Sequence, residues 1–292
     1  MIVTAAAIAA LNTGFKNNFN EGLTGIKPVW DKVATLVPSS RSSNTYGWLG
    51  AWPGLREWIG DRVVKSLSES SYQITNKDYE STVGVPRNAI EDDEFGIYGP
   101  MMASMAQVAA EHPDTLVFGL LKNGFTTPCY DGQNFFDDEH PVGDTKVSNM
   151  QAGVGEGWYL LDTRRPLKPL IFQQRKKPEF VAMTALTDEV VFTAKEFRYG
   201  VDTRCNAGFG FWQLAFGSRA ELTAENYEAA FEAMTSQRNE EGGVLNVRPT
   251  IIVVGPGNRA RAKKLFDTML VGGGDTNTLY KDVEIVEAPW VG

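Results

Sequence analysis

Residues 72–85 read Tyr72-Gln73-Ile74-Thr75-Asn76-Lys77-Asp78-Tyr79-Glu80-Ser81-Thr82-Val83-Gly84-Val85. Apolar side chains alternate with polar ones on both sides of Asn76-Lys77-Asp78, with Tyr72 and Ile74 before it and Tyr79, Val83 and Val85 after it. A period of two is the pattern of a strand with one buried face. The spacing predicts an extended hairpin over 60–87 that turns at Asn76-Lys77-Asp78. Its other face is polar, through Ser70, Ser71, Gln73, Thr75, Glu80 and Thr82. A lone two-stranded ribbon is marginal in water. This one has to lie on something, and a neighbouring subunit is one such support.

Downstream the period changes. Met101, Met102, Met105, Val108 and Ala109 follow helical spacing until His112-Pro113-Asp114 interrupts it. Proline inside a helix costs about 3 kcal/mol, so the chain either kinks or restarts there. Leu116, Val117, Leu120 and Leu121 resume the pattern, and Lys122-Asn123-Gly124 ends it. One long kinked helix or two abutting ones are predicted. Residues 125–154 read as loops, and strands are expected at 158–161, 170–172, 189–192 and 209–216. An amphipathic helix follows at 222–235, capped by Thr223, with Tyr227, Ala230, Phe231 and Met234 on one face. A buried strand at 250–254, a helix at 257–270 and a strand at 283–286 complete the chain. The class is α+β.

Upstream of the ribbon, residues 1–35 predict a short amphipathic helix capped by Thr4. A polar loop from Lys16 to Gly25 follows, then a short piece from Val29 to Leu36. Residues 37–54 are rich in turn residues and carry Tyr46, Trp48 and Trp52 among glycines. These aromatics suit either the core of one subunit or a contact between subunits.

The length of 292 residues predicts about two domains, with ample core. Hydrophobic residues make up 42% and charged ones 22%, which is ordinary globular usage. Cys129 and Cys205 are far apart and form no C-x-x-C pair, so neither a disulfide framework nor structural zinc is expected. The apolar start lacks a cationic leader, so no signal peptide is expected, and no apolar run approaches a membrane span. A net charge of −8 and a pI near 5.0 argue against a protein that coats nucleic acid. They leave room for a wall that confines a polyanion without adhering to it.

Three stretches could carry chemistry. Ile252-Val253-Val254-Gly255-Pro256-Gly257-Asn258-Arg259-Ala260 formally fits a dinucleotide fingerprint, but Pro256 removes a donor from the turn and only one strand follows. A tight structural turn is the competing reading. The run from Cys129 to Pro141 offers Asp131, Asn134 and Asp137 as oxygen ligands, off the spacing of a calcium loop. It also offers Cys129 with His140 as nucleophile and base; a polar loop closed by local hydrogen bonds competes with both. Lys77 at the ribbon tip could form an isopeptide link to a neighbour, or simply be a solvated turn lysine. No serine nucleophile elbow, P-loop or H-E-x-x-H is present. No catalytic, cofactor or metal residue is assigned.

Several stretches resemble the major head proteins of phage Mu and Mu-like prophages. They are Ser42-Ser43-Asn44-Thr45-Tyr46-Gly47-Trp48-Leu49-Gly50, Thr82-Val83-Gly84-Val85 with Glu91-Asp92-Asp93, and Ile97-Tyr98-Gly99-Pro100. The stretch from Pro128 to Val142 (PCYDGQNFFDDEHPV) is the most specific; Gly208-Phe209-Gly210-Phe211-Trp212-Gln213 and Arg248-Pro249-Thr250 add to it. The resemblance implies a Hong Kong 97-like capsid fold. Its parts would be an N-terminal arm (1–54), an extended two-stranded loop (55–92), a peripheral domain with a spine helix (93–220) and an axial domain (221–292). Strand-rich residues 155–220 precede the axial unit, a departure from the usual family order that leaves their membership open.

It further implies a self-assembling subunit of hexamers and pentamers in an icosahedral virion head, built in the host cytoplasm around double-stranded DNA without sequence-specific contact. Implied partners are further copies of the chain, a scaffolding protein and protease, a portal and a decoration protein, with no membrane and no cofactor. Trp48, Trp52, Trp58, Tyr72, Ile74, Lys77, Asp78 and Tyr79 are the expected inter-subunit contacts of arm and loop. An encapsulin-like cellular compartment on the same fold, and a Cys129–His140 hydrolase, are the alternative readings.

Overall fold

Helix α1 (Ala5–Gly25) is far longer than the short helix expected. The predicted polar loop from Lys16 to Gly25 is helical because Ile8, Phe15, Phe19 and Gly22 share one buried face. Lys16, Asn17, Asn20 and Glu21 stay in solvent. The computed structural model describes residues 5–50, 72–92 and 95–292, so the Thr4 cap lies outside the described residues. A one-turn 3-10 segment (Trp30–Lys32) leads to β1 (Ala34–Pro38) and β2 (Ser43–Thr45), and a second covers Gly47–Gly50. Then come β3 (Gln73–Thr75), β4 (Lys77–Pro86), α2 (Arg87–Glu91) and α3 (Phe95–Lys122). After short strands β5 (His140–Val142), β6 (Thr145–Val147) and β7 (Met150–Gln151) come β8 (Trp158–Leu161) and β9 (Leu170–Met183). Helix α4 (Glu189–Ala194), β10 (Glu196–Phe209), β11 (Ala215–Ser218) and α5 (Ala224–Thr235) follow. Strand β12 (Ile251–Val254), α6 (Arg259–Phe266) and β13 (Glu284–Glu287) finish the chain.

Two larger sheets organise these elements. One runs β1-β9-β10-β4 and the other β13-β12-β8-β11-β7. Strands β9 and β10 form a long antiparallel pair with register shifts between Asp202 and Cys205. The region 155–220 is therefore divided: β8 and β11 join the C-terminal strands, whereas β9 and β10 belong to the long sheet.

The expected hairpin at Asn76 does not form. Strand β3 pairs with β2, placing Asn44 opposite Ile74, and β4 pairs with β10 along its whole length. Asn76 is a buried corner between them. Its amide donates to Ser39 Oγ (2.9 Å) and the Arg41 carbonyl (2.8 Å), and its Oδ1 accepts from Gln173 Nε2 (2.9 Å). A residue tied in three directions holds β3 and β4 to different partners, and alternation alone could not reveal that.

Helix α3 runs unbroken through Pro100 and Pro113, so of the two expected forms the chain adopts one long helix rather than two abutting ones. Packing along its length outweighs the proline penalty. Met102, Met105, Ala106 and Ala109 pack with Phe15 and Phe19 of α1 and with Phe197, Tyr199 and Val201 of β10. Val117, Phe118 and Leu121, further along, enter a different cluster with Tyr159, Leu161, Ile251 and Val253. Asp114, beside Pro113, accepts from the backbone N–H groups of Trp30 (2.7 Å) and Val29 (3.0 Å) and so fixes the junction between α1 and β1.

Strands β8 and β12 are buried on both faces. Tyr159, Leu161, Ile251 and Val253 look toward α3, while Trp158, Leu160, Ile252 and Val254 cluster with Tyr227, Ala230 and Met234 of α5 and Ala262 and Phe266 of α6. Thr223 caps α5 as expected, accepting from Asn226 N (3.2 Å). The strand expected at 189–192 is instead α4, which buries Val191 and leaves Phe192 83% exposed. The strand expected over 209–216 breaks at a 3-10 turn, Trp212–Leu214.

Gly22 meets α3 so closely that a Cβ there would sit 2.4 Å from the Ala103 carbonyl oxygen, whereas Gly14 of the same helix has open space. Gly22→Val should destabilise the chain by about 1–3 kcal/mol through forced separation of α1 and α3. Gly14→Ala should stabilise it by about 0.5–1 kcal/mol. Chemical denaturation of both variants checks the contrast.

Burial, aided by the nearby Glu111 and Asp31 charges, raises the Asp114 carboxyl to about 6 against the pull of the Trp30 and Val29 N–H groups. A raised folded value means that this contribution to stability is complete below about pH 4 and is lost as pH rises through about 6. Asp114→Asn keeps an acceptor and has no proton to lose, so its thermal stability should vary less across that window. Asp114→Ala leaves two donors unpaired and should cost about 1–3 kcal/mol at either end.

Candidate functional site

The expected contact residues separate into three groups. Trp52 and Trp58 lie outside the described residues, as does the side chain of Trp48, whose backbone is in the Gly47–Gly50 turn. Ile74 is 3% exposed in this chain's own core, which leaves it no surface to give to a neighbour. Tyr72 is half-buried and its hydroxyl oxygen accepts from Phe209 N (2.7 Å). Both tie β3 across the end of β10, with Asn206 Nδ2 donating to the Thr75 carbonyl (2.7 Å). Lys77, Asp78 and Tyr79 open β4, the edge of the long sheet. Lys77 and Asp78 are exposed, and Asp78 faces Arg204 at 3.3 Å. Tyr79 is half-buried with its ring 4.2 Å from that of His112.

Surfaces that the sequence reading missed lie at the extremities. Around the β9–β10 tip Val181, Met183, Leu186 and Phe192 are exposed, and none of the described residues covers them. In the C-terminal unit Met269, Leu270 and Val271 are exposed just before Gly272-Gly273-Gly274, with Val244 exposed on another loop. Those three residues were expected at the end of or just beyond a helix that in fact stops at Phe266. Apolar residues directly followed by glycines are a turn signal that would have exposed the error. Beside β4, the edge strand of the sheet among the described residues, a groove of about 160 Å³ runs along α3, lined by Tyr79, Met105, Val108, His112 and Val201. Val108 is 65% exposed there.

The Cys129 loop is closed by its own side chains. The Cys129 thiol donates to Asp131 Oδ1 (3.1 Å), and Asp131 Oδ2 lies 2.7 Å from His140 Nδ1. The carboxylate thus stands between the supposed nucleophile and the supposed base. Burial and the adjacent Asp131 charge push the thiol well above its ordinary range, the reverse of an activated cysteine. Burial raises Asp131 too, but the His140 and Cys129 hydrogen bonds and the His140 charge outweigh it and leave the carboxyl below its usual range. Asp137 accepts from Asn134 N (3.3 Å), Asn134 Nδ2 (3.1 Å) and Glu139 N (3.1 Å), a local closure rather than a calcium cage. His140 is fully buried and stacks on Trp212 at 4.0 Å.

The glycine turn after β12 is filled from within. A Cβ at Gly255 or Gly257 would lie 2.0 Å from a carboxylate oxygen of Glu156. That carboxylate accepts from Gly257 N (3.3 Å), and Asn258 Nδ2 donates to the Glu156 carbonyl (2.9 Å). The space a phosphate would need holds this chain's own anion. The turn is structural.

Comparison with known proteins gives a consistent answer. A family profile described as Mu-like prophage major head subunit gpT matches residues 8–291. The major capsid protein of Escherichia phage Mu is 42% identical over 305 aligned positions that cover both chains completely. The Mu-like prophage FluMu major head subunit of Haemophilus influenzae is 45% identical over 92% of this chain and 91% of its own. Among solved structures, a procapsid chain of bacteriophage JBD30 is 48% identical with a TM-score of 0.88, covering 99% of this chain and all of that one. A JBD30 capsid chain is 35% identical with a TM-score of 0.80 over both chains entirely. The fold is thus the α+β, Hong Kong 97-like capsid architecture that the resemblance implied. The chain belongs to the Mu-like prophage major head subunit gpT family.

Proposed function

We propose that this chain is the repeating wall subunit of a Mu-like phage head, closing as hexamers and pentamers into an icosahedral shell around double-stranded DNA. The observation that carries the reading is the end-to-end correspondence with a procapsid chain at 48% identity. Similarity of that extent lies with phage head proteins, and it favours neither the encapsulin-like nor the hydrolase alternative.

The parts of the subunit suit that task. Residues 1–54 serve as the arm and 55–92 as the extended loop, with α3 as the spine. The long sheet joins β1 of the arm and β4 of the extended loop to β9 and β10, which act as the peripheral domain. The sheet β13-β12-β8-β11-β7 with α5 and α6 acts as the axial domain, so that domain takes strands from within 155–220 as well as from 221–292. Apolar tips and a sheet edge that the described residues leave open are liabilities for a monomer. They become contacts once copies surround one another, and a heterologous contact that closes on itself makes a ring. Lys77, Asp78 and Tyr79 on the β4 edge, with Trp48, Trp52 and Trp58, are assigned to such contacts, joined by Phe192 and Leu186 at the β9–β10 tip.

The remaining partners follow from assembly. A scaffolding protein and protease, a portal, and a decoration partner complete the head; the JBD30 capsid is decorated with minor capsid protein trimers. The net charge of −8 suits a wall that confines DNA by closure rather than adhesion. Among the described residues no helix is long and apolar enough to cross a membrane. The virion is the place of action.

Negative-stain microscopy and light scattering of the full chain, alone and co-expressed with the scaffolding protein and protease from its own genome, test the reading. Rings, tubes or closed shells are expected, and a strictly monomeric chain in both preparations overturns it. Phe192→Asp should leave thermal stability within about 0.5 kcal/mol of the parent, because the ring is solvent-exposed. The same variant should sharply lower the yield of closed particles on sedimentation, and parental yields would remove Phe192 from the contact set.

A further inference from the structure

We propose that Cys129, Asp131 and His140 form a binding site for one thiophilic divalent cation of the zinc class, which ties the two ends of the 128–142 loop together. The three donor atoms, a sulfur, a carboxylate oxygen and an imidazole nitrogen, lie within 4.8 Å of one another. Asp131 turns one oxygen to the thiol (3.1 Å) and the other to Nδ1 of His140 (2.7 Å). If the carboxylate binds through both oxygens, the set supplies four donors of the kinds that zinc accepts. Cys129 is 6% and His140 0% exposed, and the Asp131 side chain is 10% exposed, so the donors are interior groups.

Charge argues the same way. Thiolate, carboxylate and neutral imidazole sum to minus two, which a dication cancels, and a neutral set is far cheaper to bury than an unbalanced one. Binding releases the thiol proton to solvent, and His140 Nδ1 can bind the cation only as the tautomer protonated at Nε2, a buried atom without a hydrogen-bond partner among the described residues. A thiolate donor favours a cation that bonds sulfur strongly. Magnesium and calcium, which prefer oxygen, compete poorly.

The donors are held before any ion arrives. Cys129 N donates to the Gln133 carbonyl (2.7 Å), and Gly132 N to the Cys129 carbonyl (3.3 Å) through a glycine at φ 88°. Gln133 N donates to Asp131 Oδ1 (3.0 Å), and the His140 ring is fixed parallel to Trp212. Supports of this kind orient ligands in metal sites. The loop itself has little regular structure to hold it, and Phe135 and Phe136 within it are core residues. A cation there would hold the two ends of the loop together around these core residues.

Full-length protein stripped with a chelator and titrated with Co²⁺, a spectroscopic stand-in for zinc, tests the site. One equivalent should produce a thiolate-to-cobalt charge-transfer band and raise Tm by several degrees. Zn²⁺ should bleach that band, and Mg²⁺ should do neither. Cys129→Ser and His140→Gln should abolish the band, whereas Cys205→Ser, which removes the other buried cysteine, should retain it. No charge-transfer band in the parent protein overturns the proposal, as does a band lost in Cys205→Ser or kept in Cys129→Ser. Should Cys129→Ser fail to fold, the parent spectrum and the Cys205→Ser variant still decide.

Discussion

Helix α3 has to be buried twice, by different partners, and most of the subunit is arranged to do it. Its first half lies between α1 and β10, and its second half against β8 and β12. Neither sheet covers the whole helix. The helix therefore couples two clusters that would otherwise be separate cores, and it does so despite two internal prolines. Burial of a Leu, Phe or Met side chain contributes about 1.5–3 kcal/mol. Several such residues on each half are enough to exceed the cost of a proline in the helix interior.

Where the apolar packing changes direction, buried polar groups fix the joints. Gln173 in β9 accepts from the Tyr46 hydroxyl (2.7 Å) and donates to the Ile74 carbonyl (3.0 Å) and to Asn76 Oδ1 (2.9 Å). Asn149 donates to the Phe135 carbonyl (2.8 Å) and accepts from Asp137 N (2.9 Å), pinning the Cys129 loop to the strand region that follows it. Asp162, fully buried, is bound by the Arg164 side chain and by the backbone N–H of Arg248 (2.9 Å). Burial raises its carboxyl, but these hydrogen bonds prevail and hold it below the usual range. Satisfied groups of this kind specify one arrangement among several compact ones.

The same organisation explains why the chain is suited to assembly. Among the described residues the buried apolar clusters lie along α3 and on the two faces of β8 and β12. The outlying parts, the β9–β10 tip and the 269–274 loop, keep apolar residues in solvent. Each added copy of such a subunit can cover apolar surface that a single folded chain leaves open.

The amino-acid sequence by itself determined the α+β class, α5 with its Thr223 cap, the strand at Ile251–Val254 and the family, because each rests on local spacing or on a run of residues read in order. It also carried the polar closure of the Cys129 loop, since Asx-type bonds join near neighbours. Tertiary structure alone decided that β3 and β4 part company at Asn76, that β8 and β11 leave their sequence neighbours for the C-terminal sheet, and that α1 continues to Gly25. It alone turned Val190-Val191-Phe192 into a helix, and brought Glu156 into the glycine turn a hundred residues away. The reason is one of range. Period and propensity report which face of an element is apolar, whereas partners are chosen by groups distant in sequence, whose burial and hydrogen bonding exist only once the chain has folded.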